Sequence, residues 1–308
     1  MNQIVKLKGF NAVASGDFGL QGSKADFAVK PCRLQIVGDS GNTLPVTSDK
    51  AIIRMVGDRP VQLGIVGADY EIVQHRDFFG QIEGALKESI RPDLARDPQV
   101  RTTTSYHGAF VKREYVFPAF AQALQGSEKL KATFGYRIVA WNSLDGSSAA
   151  GLLSGLIDFY CTNGVIAGSL IGKKLRRHTS GFDLKAFEEQ IAEGLTVAQA
   201  EVRWLETLAA KKLDLAKAET FLKTQFSERL TERLMAQVAR EIPQRGRNMF
   251  ALLSALTFYA SHADGFAANA GFGVRDTGAD HAAKTLHGRE IEVQKALRSE
   301  GFRQLLAA

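Results

Sequence analysis

Residues 130–148 read LKATFGYRIVAWNSLDGSS, and this stretch decides the fold. From Leu130 to Trp141 the chain is crowded with Thr, Phe, Tyr, Ile, Val and Trp, the β-branched and aromatic content that suits a pleated, half-buried surface. Asn142 to Ser148 then supplies Asn, Asp and Gly, residues that accept turn geometries others resist, so a strand closes on a polar turn. Apolar sequence resumes at Ala149. The segment LIDFYCTNGVIAG at 156–168 fits strand or helix, because a short apolar run has no deciding period.

Working outward toward the N-terminus, VRTTTSYHGAFVKREYVFP at 100–118 predicts two strands turning at His107-Gly108. Lys112 and Arg113 fall on adjacent strand positions, so their side chains leave opposite faces. Before it, VQLGIVGADYEIV (61–73) reads as a strand, and QHRDFFGQIEGALKESI (74–90) places Phe78, Phe79, Ile82, Leu86 and Ile90 on one helical stripe. Residues 1–60 read as short strands and turns, with loops at Gly22–Lys24 and Asp39–Thr43.

Beyond Gly181 the period changes. Leu184, Ile191, Leu195, Ala198, Val202 and Leu205 make a helical stripe, Leu230, Leu234 and Val238 a second, and Met249 to Tyr259 a helix apolar almost all round, which belongs at the centre of a core. Residues 265–280 read as a glycine-rich loop, and a last helix is predicted over Ala283–Leu306. The fold class is α+β: an N-terminal mixed or antiparallel sheet with helices over 1–180, then an α-helical portion over 181–308 that packs on it or on neighbouring subunits.

A chain of 308 residues with 45% hydrophobic content can bury a substantial core. Cys32 and Cys161 match neither a disulfide framework nor a paired zinc spacing, which points to a reducing, cytoplasmic setting. No apolar run reaches the roughly 18 residues of a membrane helix, so no membrane partner is expected. The formal charge of +6 favours polyanions, yet neither half of the chain is a basic tail, so a nucleic-acid surface has to come from local clustering.

Five segments, YEIVQHRDFF (70–79), WNSLDGSSA (141–149), FYCTNGVI (159–166), RRHT (176–179) and NMFALLSALTFYASH (248–262), together resemble the domain of unknown function 932 family, also called phage/plasmid-like protein, over about residues 60–265. The resemblance implies a mobile-element setting and a part in DNA maintenance or recombination. It supplies no catalytic residues.

The densest cationic run is Lys173, Lys174, Arg176 and Arg177, followed by His178; it reads as a phosphate-contacting patch or as a solvated loop. Tyr136, Arg137, Trp141 and Asn142 set stackable rings beside a guanidinium and an amide, as single-strand grooves do, and Lys112 and Arg113 between Tyr106 and Tyr115 repeat the mixture. The bland alternative is that strand aromatics are half core and half surface. Arg245 and Arg247 beside Pro243 open the apolar helix, where two cations oppose the dipole unless an anion joins them. Asn142, Asp145 and Ser147 are read as a phosphate-binding nest or a structural turn. His262, Asp264, Asp276, Asp280 and His281 follow no known metal signature, and no Gly-x-Ser-x-Gly elbow is present. The expected function is binding of single-stranded DNA by a homo-oligomer that supports strand annealing or recombination, without catalytic residues, metal or cofactor. The alternatives are a metal-dependent nuclease and a non-enzymatic anti-defence protein.

Overall fold

The computed structural model describes residues 10–13, 18–44, 48–90, 97–122, 133–159, 164–165, 173–176, 178, 185–262 and 282–307. The chain begins with β1 (Asn11–Ala12), β2 (Val29–Arg33), β3 (Ile36–Val37) and β4 (Thr43–Leu44), followed by the hairpin β5 (Lys50–Val56) and β6 (Arg59–Val66). Helix α1 (His75–Ser89) follows, its Phe78, Phe79, Ile82 and Leu86 buried as the stripe requires. Then come β7 (Gln99–Ser105), β8 (Phe110–Phe117), β9 (Phe134–Ser143), β10 (Ala150–Asp158), β11 (Gly164–Val165) and β12 (Lys173–Arg176). The ambiguous apolar run is thus strand up to Asp158, because β10 pairs along its length with β9.

The main sheet has seven strands in the order β1-β7-β8-β9-β10-β11, with β12 also on β10; every described pairing is antiparallel. A second sheet, β2-β5-β6, and the β3-β4 pair complete the strands. The fold is α+β.

Six more helices are described: α2 (Lys185–Ala210), α3 (Leu215–Gln225), α4 (Glu228–Arg245), α5 (Met249–Ser261), α6 (Ala282–Arg298) and α7 (Glu300–Ala307). Their starts follow from local chemistry. Asp214 accepts from the N–H groups of Ala216 and Lys217, Ser227 from Leu230, and Asn248 from Ala251, each satisfying a donor the helix cannot. The last predicted helix is two, because Ser299 accepts from Phe302 N–H at 3.2 Å and donates to Ala296 O at 2.7 Å, ending one helix and capping the next. All thirteen residues of α5 are buried, as its uniform apolarity demands.

Strands β8, β9 and β10 are buried on both faces. On one face Val111, Tyr115, Tyr136, Ile138, Leu152 and Leu156 join residues of α1, α2 and α5 in a single apolar cluster. On the other, Phe110, Val139, Trp141 and Leu153 pack with Ala283 of α6. Two covered faces, where an antiparallel sheet often keeps one in water, set the fate of every polar side chain on these strands.

Gly151 stands opposite Trp141 in the register, and a Cβ there would lie 2.2 Å from the indole Cζ2. Gly151→Ala is therefore expected to destabilise the protein by about 1–3 kcal/mol through overpacking, read as a lower urea midpoint. Gly84, on α1, has open space at the same position, so Gly84→Ala is expected to be neutral or stabilising by up to about 1 kcal/mol. Equal midpoints for the two variants would refute the contrast.

Candidate functional site

The structure takes the aromatic and cationic strand residues inward. Lys112, Arg113, Tyr136, Arg137, Trp141 and Asn142 are each no more than 1% exposed. The expected open strand face is corrected here: in this fold these six hold the interior together, because both faces of the strands are covered. Burying a charge is tolerable only with a counter-charge, and Lys112, Arg113 and Arg137 each have one.

Lys112 and Arg113 do leave opposite faces. Lys112 Nζ lies 2.8 Å from Glu290 of α6, and Arg137 Nη2 donates to the other Glu290 oxygen, also at 2.8 Å. Arg137 also pairs with Glu114, which Arg101 reaches at 2.5 Å. Burial works against the Glu114 charge, but Arg101, Arg137 and Lys112 outweigh it and hold the carboxyl well below its ordinary range. Glu290 is shifted the same way, with Lys112 and Arg137 overcoming burial. Across the sheet Arg113 pairs with Glu83 of α1 at 3.2 Å, and Tyr115 donates to the same carboxylate at 2.8 Å.

Asn142 belongs to a corner where three of the quoted segments meet. His75 Nε2 faces the Gly108 carbonyl at 2.7 Å, so Nε2 carries the proton and Nδ1 is left to accept from Asn142 Nδ2 at 3.1 Å. The second Asn142 Nδ2 hydrogen goes to Val73 O at 2.9 Å. Burial pushes His75 down to about 4 and keeps the ring neutral; His178, also buried, is pushed down to about 4. Tyr70 stacks on His178 at 5.0 Å and donates to Ser143 O at 2.9 Å, while Glu71 N–H donates to His178 O at 3.1 Å.

In the turn itself, Asp145 accepts from Ser143 Oγ at 2.6 Å and Ser147 N–H at 2.9 Å, hydrogen bonds that outweigh burial and lower its carboxyl. Ser143 thus spends its hydroxyl on a carboxylate and not on a histidine base. Leu144 joins Val29, Ile52, Leu63 and Val66 of the second sheet, and a Cβ on Gly64 would meet Asp145 Cβ at 2.7 Å. The turn is the joint between the two sheets, with Leu144 and Asp145 in close contact with the second sheet and Gly146 and Ser147 exposed.

The basic run contributes Lys173, Lys174 and Arg176 to β12, at the edge of the main sheet; their backbone is described, and Arg177 lies outside the described residues. Arg245 is corrected from helix start to helix end. It is the last residue of α4, where the dipole favours a cation, and it is buried against Asp158 with Glu241 at 3.8 Å. Arg247 is exposed and its Nε donates to Leu213 O at 3.3 Å.

Of the loose histidine and aspartate set, His262 is described, its ring 4.9 Å from Phe258; Asp264, Asp276, Asp280 and His281 lie outside. Among the described residues no group of three or more metal-capable side chains converges. No described helix is long and apolar enough to cross a membrane. Sequence reasoning passed over Glu83, Glu114 and Glu290, since pairs between different elements, up to 178 positions apart for Lys112 and Glu290, leave no local pattern, and over Lys211 and Lys212, whose place ahead of the Asp214 cap was the available signal.

No curated protein and no solved structure matches the chain. A family profile does match, from within β6 to within α6. It takes in β7 to β12 of the main sheet, the buried ion network and the corner built on Asn142 and His75. With residues 62–296 so matched, the chain belongs to the family described as Domain of unknown function (DUF932).

Proposed function

We propose that this chain is a nucleic-acid-binding protein of a mobile element that holds single-stranded DNA by its phosphates and, as a homo-oligomer, supports strand annealing or recombination. The observation that carries this reading is the position of Lys173, Lys174 and Arg176: three cations of one four-residue strand lie on a rim of the main sheet. The strand cations drawn into the interior are spent on carboxylates, so backbone contact falls to the rim and to exposed helix ends. Each phosphate neutralised by such a residue releases counterions, which makes binding steeply salt-dependent and indifferent to sequence.

The same basic rim would also discourage edge-to-edge pairing of sheets, which is how many proteins use lysines on edge strands. Charge reversal separates the two roles. The variant Lys173→Glu/Lys174→Glu/Arg176→Glu is expected to bind a fluorescent single-stranded oligonucleotide at least about tenfold more weakly in 50 mM salt, and to show a shallower dependence of log affinity on log salt. Unchanged affinity with a folded variant, or binding by the parent protein that ignores salt, would refute the proposal. Mass measurement with and without oligonucleotide reads the oligomer directly.

A further inference from the structure

A cleft of about 450 Å³ opens where the end of α2, the starts of α3 and α5, and α7 come together. Its volume lies in the range of small-molecule sites. Leu213, Met249 and Leu305 are buried and form an apolar floor, and Lys211, Lys212, Lys217 and Arg247 stand around it. The backbone fixes this geometry. Lys212 bridges to Asn248, Leu213 N–H donates to Arg247 O at 3.2 Å, and Met249 N–H donates to Lys211 O at 2.9 Å.

Asp214 is the acid of the lining, and its carboxylate is committed to the α3 cap, where hydrogen bonds from Lys217 N–H and Ala216 N–H hold its pKa down. The lining thus sets four cations against one carboxylate, which the nearby charges of Lys217 and Arg247 also help to hold down. None of the four enters an ion pair among the described residues, whereas Lys223, farther along α3, is paired with Glu219 at 2.7 Å. Arg247 is oriented by its bond to Leu213 O, which leaves its terminal guanidinium nitrogens to act as a fork.

We infer that this cleft binds an organic phosphate of nucleotide size, with the phosphate among Lys211, Lys212, Lys217 and Arg247 and the base or sugar over Leu213, Met249 and Leu305. The site is separate from the basic edge strand and does not depend on that reading. The chemistry has two sources, a free nucleotide or the phosphorylated end of a strand.

Calorimetric titration of the full chain with AMP at 50 and 200 mM salt tests it, with inorganic phosphate and adenosine as half-ligands. Saturable AMP binding, at least about tenfold tighter than either half-ligand and weaker at the higher salt, is expected. Lys212→Glu/Lys217→Glu, both exposed positions, is expected to lose at least about tenfold in AMP affinity with an unchanged urea midpoint, while the edge-strand variant keeps it. Displacement of AMP by a 5′-phosphorylated oligonucleotide and not by its 5′-hydroxyl counterpart identifies the strand end as the source; displacement by neither identifies the free nucleotide. Absence of saturable AMP binding, an unaffected Lys212/Lys217 variant, or equal displacement by both oligonucleotides would overturn the inference.

Discussion

Glu114→Gln is expected to destabilise the protein by about 3–5 kcal/mol, the cost of leaving buried charges without their partner. Glu114 is 1% exposed and contacts Arg137 and Arg101, with Lys112 Nζ 3.9 Å from its carboxylate. Glutamine keeps the shape and removes the charge, so Lys112 and Arg137 are left to share Glu290, and Arg101 has water to turn to because its side chain is 18% exposed. Equilibrium urea unfolding reads the loss. Glu219→Gln, which breaks an exposed helix pair with Lys223, is the control and should cost no more than about 0.5 kcal/mol. If the two variants unfold alike, the buried network does not carry the stability assigned to it. A double-mutant cycle with Glu290→Gln should show strong non-additivity, since both acids neutralise the same two cations.

Acid is expected to weaken the fold well before carboxylates protonate. His75 is pushed from its ordinary value near 6.5 down to about 4, so the unfolded chain binds a proton that the folded chain refuses. The stability this neutral ring contributes is complete above pH 6.5, falls as pH drops from 6.5 to about 4, and is lost below that. The difference between the two values corresponds to about 3 kcal/mol. His178 is shifted the same way and adds to the slope over the same interval. The physical cost is specific: a protonated His75 would turn Nδ1 into a donor facing the donor Asn142 Nδ2, and the corner that joins the two sheets would open. Urea midpoints measured between pH 7.5 and 4 should fall steadily below pH 6.5, and His75→Gln should flatten that part of the profile. A parent protein whose midpoint is constant from pH 6.5 to 4.5 would refute the assignment.

The legible parts of this protein were those written in local pattern. The stripe of Phe78, Phe79, Ile82 and Leu86 gave α1, the Thr-rich and aromatic runs about His107-Gly108 gave β7 and β8, and the unbroken apolarity from Met249 gave the central helix. The loss of helix at Ser299 was less legible, because a serine inside a periodic pattern is as often an exposed helical residue as a cap. Nor does the pattern say whether the second face of a strand meets water or a helix. Tyr136, Arg137, Trp141 and Asn142 have the same identities on a binding face as in a salt-bridged interior, and it is α6, bringing Glu290 from the far end of the chain, that makes the difference.

By itself, then, the sequence determined the α+β order, the helices and strands with clear periods, the opposite facing of Lys112 and Arg113, and the family. Those depend on contacts a few residues apart. The tertiary structure alone decided which cations are interior and which remain on rims and helix ends. Burial of a charge depends on what is packed above it, and the groups packed above Lys112, Arg137 and Arg245 come from elements distant in the chain. Residues 134–148 thus carry a central strand of the main sheet and the joint to the second sheet.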